Sequence, residues 1–133
     1  VDKHNTLYID PRLTFIHLDI TKGSFPWADL WMCRDCLFHF SFEDTFRALK
    51  LFIDSGIPYL LTTTHKNIDG FKNFDISTGA FRPIDLFSSP YFFPRDVFFR
   101  IDDYFGAAPP REICLWSREQ VVDCVKHSEN YSG

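Results

Sequence analysis

The sequence has little glycine, with 6 in 133 residues, and no glycine-rich loop of the kind that cradles a phosphate or a dinucleotide. It also has no run of basic residues and a formal net charge of -4, so it offers no electrostatic basis for binding a nucleic-acid backbone. No apolar stretch reaches the roughly 18–20 residues that cross a membrane. We therefore expect neither nucleic acid nor membrane among its partners.

Cysteine is also sparse. Four cysteines in a chain of this size do not make a disulfide framework, so we expect reduced thiols and a cytoplasmic location. The first ten residues are polar and mixed, and do not resemble a signal peptide. The length predicts a single domain over residues 1–133 with one core.

Phenylalanine, by contrast, is abundant, at 16 of 133 residues. Many of these residues cluster between Phe71 and Phe105, in a stretch otherwise rich in proline, serine and aspartate. We expect this segment to lie over the core with its rings pointing inward. The alternative is an aromatic-lined pocket or an interface.

The first half of the chain alternates strands with a helix. Leu13–Ile20 and Ala28–Cys33 are apolar runs typical of buried strands, and Tyr59–Thr64 is a third. Between them, Ser41 can cap a helix that Gly56 ends. The apolar stripe predicted for that helix consists of Phe42, Phe46, Leu49 and Ile53.

The second half predicts a hairpin and a last helix. Asp96–Ile101 and Glu112–Trp116 are strand-like, and the turn residues between them predict an antiparallel pair. Ser117–Val125 predicts a short helix. From His65 to Pro94 no element is predicted, and a connection of that length is usually functional or a cover.

This order of elements carries several short motifs. A Cys-Arg-Asp segment follows one strand, Tyr-Leu-Leu-Thr-Thr-Thr forms the next, and a loop with proline and aromatic residues comes after it. The residues concerned are Cys33-Arg34-Asp35, Leu37, His39, Ser41, Tyr59 to Thr64, Asp75-Ile76, Gly79, Arg82 and Pro90 to Pro94. Over residues 13–117 the chain resembles the carboxyl-terminal half to two-thirds of a class I S-adenosylmethionine-dependent methyltransferase.

The resemblance implies an α/β fold. It would be a partial Rossmann-like sheet, with parallel strands followed by a carboxyl-terminal antiparallel hairpin. Strands in that family lie in the order 3-2-1-4-5-7-6, and the strands predicted here would be the third to the seventh. The first two strands and their glycine-rich turn are absent, which leaves the fourth strand as a bare sheet edge. We expect a homo-oligomer, a moved third strand or a missing amino-terminal half to cover that edge.

The resemblance also implies a cofactor, S-adenosylmethionine, and a set of residues around it. Asp19 and Ile20 would contact the adenine, and Cys33 and Arg34 would face the methionine portion. Arg34, Asp35 and His39 would lie near the reacting centre, where an Arg-Asp pair orients a substrate and a histidine takes its proton. The interpretation with no catalytic role is a helix-entry ion pair and a packed histidine.

The loop after the Thr-Thr-Thr strand would close over the methyl acceptor, a small molecule or a protein side chain. The substrate-binding residues expected there are Thr64, Asn73, Asp75 and Arg82. They could equally satisfy loop backbone groups, and threonine is a normal strand former. We assign no metal.

Two other interpretations use the same residues. Cys33 and Cys36 form a Cys-x-x-Cys motif between a strand and a helix, as in thioredoxin-like oxidoreductases, and with His39 they could bind zinc. The helix cap at Ser41 lies five residues beyond Cys36, which disfavours an activated thiol there. A further alternative is a non-enzymatic remnant of the fold that forms homo-oligomers through its exposed edge.

Overall fold

A computed structural model describes residues 28–103, 106 and 109–131. The predicted strand Leu13–Ile20, with Asp19 and Ile20, lies outside the described residues. The strands are β1 (Trp31–Cys33), β2 (Tyr59–His65), β3 (Phe99–Asp102) and β4 (Arg111–Ser117), and the helices are α1 (Phe42–Ser55) and α2 (Arg118–Tyr131), with a 3-10 turn at Leu37–His39.

The four strands form one mixed sheet in the order β1-β2-β4-β3. β1 runs parallel to β2, and β4 runs antiparallel to both β2 and β3. The fold class is therefore α/β, and the antiparallel hairpin predicted from the sequence is confirmed as β3 and β4.

Helix α1 has the bounds that its capping residues predict. The Ser41 hydroxyl accepts a hydrogen bond from the backbone N–H of Asp44 at 3.0 Å, and Gly56 ends the helix with φ 78°. Only a residue without a Cβ adopts that left-handed conformation without cost. The local signals were therefore sufficient to place both ends.

The buried face of α1 differs from the predicted stripe, of which only Leu49 is fully buried. The face that packs into the core consists of Thr45, Ala48, Leu49 and Phe52. Phe42 and Phe46 lie at its margin because their rings pack against Tyr91 of the long loop, at centroid distances of 6.0 and 5.4 Å. The contact with Tyr91 therefore explains why the buried face of α1 differs from the stripe that the sequence predicts.

Helix α2 is longer than predicted and continues to Tyr131. Its apolar contacts come from Val121, Cys124 and Val125, after which the sequence turns polar and gives no further periodic signal. No glycine or proline interrupts the residues from Val125 to Tyr131, so the helix continues. Neither of the two helices in the described residues is long and apolar enough to cross a bilayer.

The described helices cover one face of the sheet. Trp31 stacks on Phe52 of α1 at 5.6 Å, and Trp116 of β4 meets Phe93 of the long loop at 4.8 Å. Side chains alternate between the faces of a strand, so the neighbours of these tryptophans point the other way. Met32 of β1 is one of them, and its side chain is exposed.

The long connection between β2 and β3 contains no helix or strand, as predicted for residues 66–94, whereas His65 belongs to β2 and the strand predicted from Asp96 begins at Phe99. Four of its apolar side chains are buried: Ile84, Leu86, Tyr91 and Phe93. Hydrogen bonds fix which ones face inward, because the Ile84 carbonyl accepts from the His65 backbone N–H at 2.8 Å and the Leu86 N–H donates to the Thr64 hydroxyl at 2.9 Å.

Most phenylalanines of this loop do not point inward. The exposed ones are Phe74, Phe81, Phe92 and Phe98. The expectation that the rings point inward is therefore wrong for these four residues. The buried side chains of Ile84 and Leu86 occupy the core beneath this loop instead.

Cys33 and Cys36 form a disulfide, so the expectation of reduced thiols is wrong for this pair. The turn after β1 brings their Cα atoms to 6.0 Å, within the range that a disulfide spans. Cys114 and Cys124 are free and buried, and burial raises the pKa of each thiol to about 11. They are structural, as predicted.

Candidate functional site

Six polar side chains gather at one end of the sheet, where β1 and β2 finish. We call them the carboxyl-edge cluster, and its members are Arg34, Asp35, Thr63, His65, Asp103 and Arg111. β4 runs antiparallel to β2, so its first residue reaches the same edge, and the chain leaves β3 there as well. This edge is where open α/β sheets bind their ligands.

Arg34 makes a bidentate pair with Asp103. Its Nε donates to Oδ2 at 3.2 Å and its Nη2 to Oδ1 at 2.9 Å. The Asp103 side chain is only 6% exposed, so the pair is shielded on the carboxylate side. Charge-assisted bonds of this geometry hold both groups in place.

Asp35 sits above the end of β2, in the left-handed conformation at φ 55°, which aspartate tolerates better than most residues. Its backbone N–H donates to the Thr63 hydroxyl at 2.9 Å. Its carboxylate lies 3.9 Å from Nε of Arg34 and 3.6 Å from Nε of Arg111. Asp35 thus lies between the guanidinium groups of Arg34 and Arg111. Arg34 is closer to Asp103 than to Asp35.

His65 is buried, at 1% exposure. Its Nδ1 accepts a hydrogen bond from the Ile84 N–H at 3.0 Å, which assigns the ring proton to Nε2. Burial lowers its pKa to about 4, so the ring is neutral at physiological pH. Nε2 finds no acceptor among the described residues.

Arg111 is the cross-strand partner of His65, so the two side chains lie side by side. Its Nε is also buried and makes no hydrogen bond to any described residue, because the carboxylates of Asp35 and Asp103 are 3.6 and 4.0 Å away. An unmatched buried donor costs about 1–3 kcal/mol. Each of these two N–H groups is therefore a donor that the described residues leave without an acceptor.

Sequence reasoning placed Arg34 and Asp35 at this edge and assigned no role to His65, Asp103 or Arg111. His65 directly follows the Thr-Thr-Thr run, which was a usable signal. Asp103 lies 69 residues from Arg34, and only the pairing of β3 with β4 brings it to the site.

The contacts of His39 within the described residues are with the long loop and the neighbouring ring of Phe38, and none is with Arg34 or Asp35. Its Nδ1 hydrogen-bonds the Ala80 carbonyl at 2.9 Å, and its ring lies 4.6 Å from that of Phe38. It therefore braces the 3-10 turn against the long loop.

The disulfide bears on both alternative interpretations of the Cys-x-x-Cys motif. The two sulfurs are bonded to each other and so are not zinc ligands, and the described residues hold no group of three or more His, Cys, Asp or Glu side chains suited to a metal. Cys33 is buried, and α1 begins only at Phe42, so its positive end does not act on these sulfurs.

The expected substrate-binding residues bind the loop itself. Thr64 is fully buried, and its hydroxyl bonds the Ile84 carbonyl and the Leu86 N–H. The Asn73 side chain donates to the Asp85 and Ser89 carbonyls, each at 2.8 Å. These contacts hold the loop in shape.

Asp75 and Arg82 connect the same loop to α1 and the 3-10 turn. The Asp75 carboxylate accepts from the first N–H of α1, at Phe42, at 2.9 Å. Buried Arg82 donates to the Phe74 and Leu37 carbonyls and to the Tyr91 hydroxyl, at 3.0, 3.3 and 3.3 Å. Burial lowers its pKa from the ordinary value.

The fit of this edge to S-adenosylmethionine can be tested in part. The Cys33 carbonyl accepts the Thr62 hydroxyl at 2.8 Å and its sulfur is in the disulfide, so both of its polar groups are engaged. The two unmatched donors, on His65 and Arg111, suit a carboxylate such as that of the methionine portion. The residues expected at the adenine lie outside the described part of the chain.

A groove of about 420 Å³ lies away from this edge, between α2 and the end of the long loop. Its lining includes Phe92, Asp96, Gln120 and Asp123. It contains none of the carboxyl-edge cluster, and we do not assign the site to it.

Comparison with known proteins does not assign a family. No family model, curated protein or solved structure matches this chain. The function is therefore argued from the geometry of the described residues and from the motifs of the sequence.

Proposed function

We propose that this chain forms the acceptor side of a class I S-adenosylmethionine-dependent methyltransferase domain. The observation that carries the proposal is the strand order β1-β2-β4-β3, with β4 antiparallel. The resemblance implies the same order for the fourth, fifth, seventh and sixth strands, with the last strand inserted beside the fifth. A simple meander would instead place β3 between β2 and β4.

The carboxyl-edge cluster supports the proposal, because it follows the strand that would be the fourth, where the resemblance places the reacting centre. When bound, S-adenosylmethionine would supply a methyl group for transfer. The protein's part is alignment, which for a two-substrate reaction is a large share of catalysis. The N–H groups of His65 and Arg111 would bind an oxygen of a ligand, and the Asp35 carboxylate would orient the nucleophile.

Arg34 acts in this scheme as a positioning residue. Its pair with Asp103 and its 3.9 Å approach to Asp35 hold both carboxylates beside the open edge. Neutral His65 donates a hydrogen bond and does not serve as a base, because its ring proton is on Nε2.

The test is a calorimetric titration of the purified chain with S-adenosylhomocysteine, on a sample whose mass is known from light scattering. We expect saturable binding that Arg34→Ala weakens at least about tenfold, since the pair with Asp103 organises the edge. The matched control is Arg47→Ala, because Arg47 pairs with Glu43 and Asp44 on the exposed side of α1. It should bind like the parent chain.

No heat of binding at millimolar ligand, on a chain that circular dichroism shows to be folded, would contradict the proposal for this chain. Equal loss in both arginine variants would point to a general effect of charge and would also count against it.

A second candidate, favoured by the exposed apolar side chains of the sheet, is a non-enzymatic domain that assembles with itself. Met32 on β1 and Phe99 and Ile101 on β3 are all exposed. A folded oligomer that does not bind S-adenosylhomocysteine would favour it over the methyltransferase.

A further inference from the structure

Strand β3 ends the sheet among the described residues, and all four of its side chains are exposed. Together with its neighbours it forms what we call the β3 patch, which consists of Tyr59 (37% exposed), Phe98 (60%), Phe99 (48%) and Ile101 (49%). The rings of Tyr59 and Phe98 lie 5.8 Å apart, and Phe99 and Ile101 lie on the strand itself. An exposed apolar patch on an unpaired edge is typical of an interface.

The two faces of β3 differ in character. Phe99 and Ile101 point to one face, whereas Arg100 and Asp102 alternate with them and point to the other. The edge strand therefore carries one positive and one negative side chain, two residues apart, on a single face.

We infer that β3 pairs with β3 of a second copy of this chain, antiparallel, about a two-fold axis that passes through Ile101. In that register Arg100 of each copy lies opposite Asp102 of the other, and the two Ile101 side chains meet on the opposite face. An interface of this kind uses the same surface on both copies. Cross-strand pairs of opposite charge stabilise such pairing.

The charges of Arg100 and Asp102 favour this register over the other antiparallel registers that have a two-fold axis. An axis through Arg100 would place two arginines opposite each other, and an axis through Asp102 would do the same with two aspartates. An axis between Arg100 and Ile101 would leave both charges without an opposite partner. Only the axis through Ile101 pairs every charge of the strand.

Both side chains also make ion pairs within their own chain. Arg100 Nε lies 3.3 Å from Glu112 Oε1, and Lys66 Nζ lies 3.1 Å from Asp102 Oδ1. A guanidinium group has five N–H donors and a carboxylate accepts several hydrogen bonds, so each can also bind across the interface. The inference needs no cofactor and is independent of the proposed function.

Sedimentation equilibrium tests the inference with two charge reversals, Arg100→Glu and Asp102→Arg. We expect the parent chain to dimerise and each variant alone to dimerise about tenfold more weakly, since two attractive pairs become repulsive. An equimolar mixture of the two variants should regain the parent affinity, because a heterodimer then pairs Glu with Arg at one position and Asp with Arg at the other. Changes within one copy cannot be repaired by mixing, so the mixture isolates the contact between copies.

A pair of matched isoleucine variants tests the axis. Ile101→Lys should abolish the dimer, whereas Ile68→Lys, in an exposed loop position, should leave it intact. A monomeric parent chain overturns the inference. A dimer whose affinity neither charge reversal changes also overturns it, because the interface would then lie at another surface such as the β1 edge. A mixture that dimerises as weakly as each variant alone overturns it as well.

Discussion

At the scale of single residues, burial decides what His65 can do. An accessible imidazole with an ordinary pKa can serve as a general base near neutral pH. Here the Ile84 N–H occupies Nδ1 and burial lowers the pKa to about 4, so the ring presents a fixed N–H group. The geometry makes it a hydrogen-bond donor to a ligand oxygen.

This pKa predicts a pH dependence of stability. His65 takes up a proton near pH 6.5 in the unfolded chain and only near pH 4 in the folded one. Between these values the unfolded state binds more protons, so the free energy of unfolding falls as the pH decreases from 6.5 to 4, by at most about 3 kcal/mol.

Urea unfolding of the parent chain and of His65→Asn, at pH 7 and pH 4.5, measures this contribution. Asparagine does not titrate, and its carbonyl can accept the Ile84 N–H. The variant should lose less stability than the parent on acidification. An equal loss in both proteins would show that other groups carry the pH dependence.

At the scale of elements, α1 is specified by its two ends. The Ser41 hydroxyl accepts the Asp44 N–H, and Glu43 and Asp44 place negative charge at the positive end of the helix. These signals lie within four residues of one another, which is why sequence alone located the start of the helix.

Ser41→Ala should lower the free energy of unfolding by about 1 kcal/mol, because it leaves the Asp44 N–H without its cap. Ser41→Thr retains a hydroxyl at the position and should recover most of the stability. Ser77→Ala, at an exposed loop position, is the matched control and should change little. Equal melting curves for the alanine variants at the two positions would refute a capping role for Ser41.

At the scale of the whole molecule, the long loop is part of the core. Arg82 is a buried residue of this loop, and it joins two other parts of the loop, at Phe74 and the Tyr91 hydroxyl, to the 3-10 turn at Leu37. The same loop supplies Ile84, which orients His65. The loop thus links the stability of the fold to the geometry of the carboxyl-edge cluster.

Arg82→Met should destabilise the chain by about 3 kcal/mol or more, because three acceptors lose their donor and two of those hydrogen bonds are buried. Chymotrypsin should then cleave the loop faster under native conditions, since Phe74 and Phe81 are exposed and the loop opens more often. Arg95→Met is the control, because Arg95 is exposed in the same loop and contacts only the Phe87 ring at 4.9 Å. If the two variants show equal stability and equal cleavage, Arg82 does not hold the loop.

The sequence by itself determined α1, β2, the hairpin and the absence of regular structure in the long loop. Each of these depends on signals between residues close in the chain: caps, apolar periodicity and turn residues. It also located Arg34 and Asp35 at a sheet edge, because they directly follow an apolar strand.

Only the tertiary structure decided which residues contact one another in the carboxyl-edge cluster. The insertion of β4 between β2 and β3 brings Asp103 to Arg34 across 69 residues and sets Arg111 beside His65. It also decided which side chains of α1 and the loop are buried. Packing and charge pairing act between segments distant in the chain, and no periodicity within one segment records them.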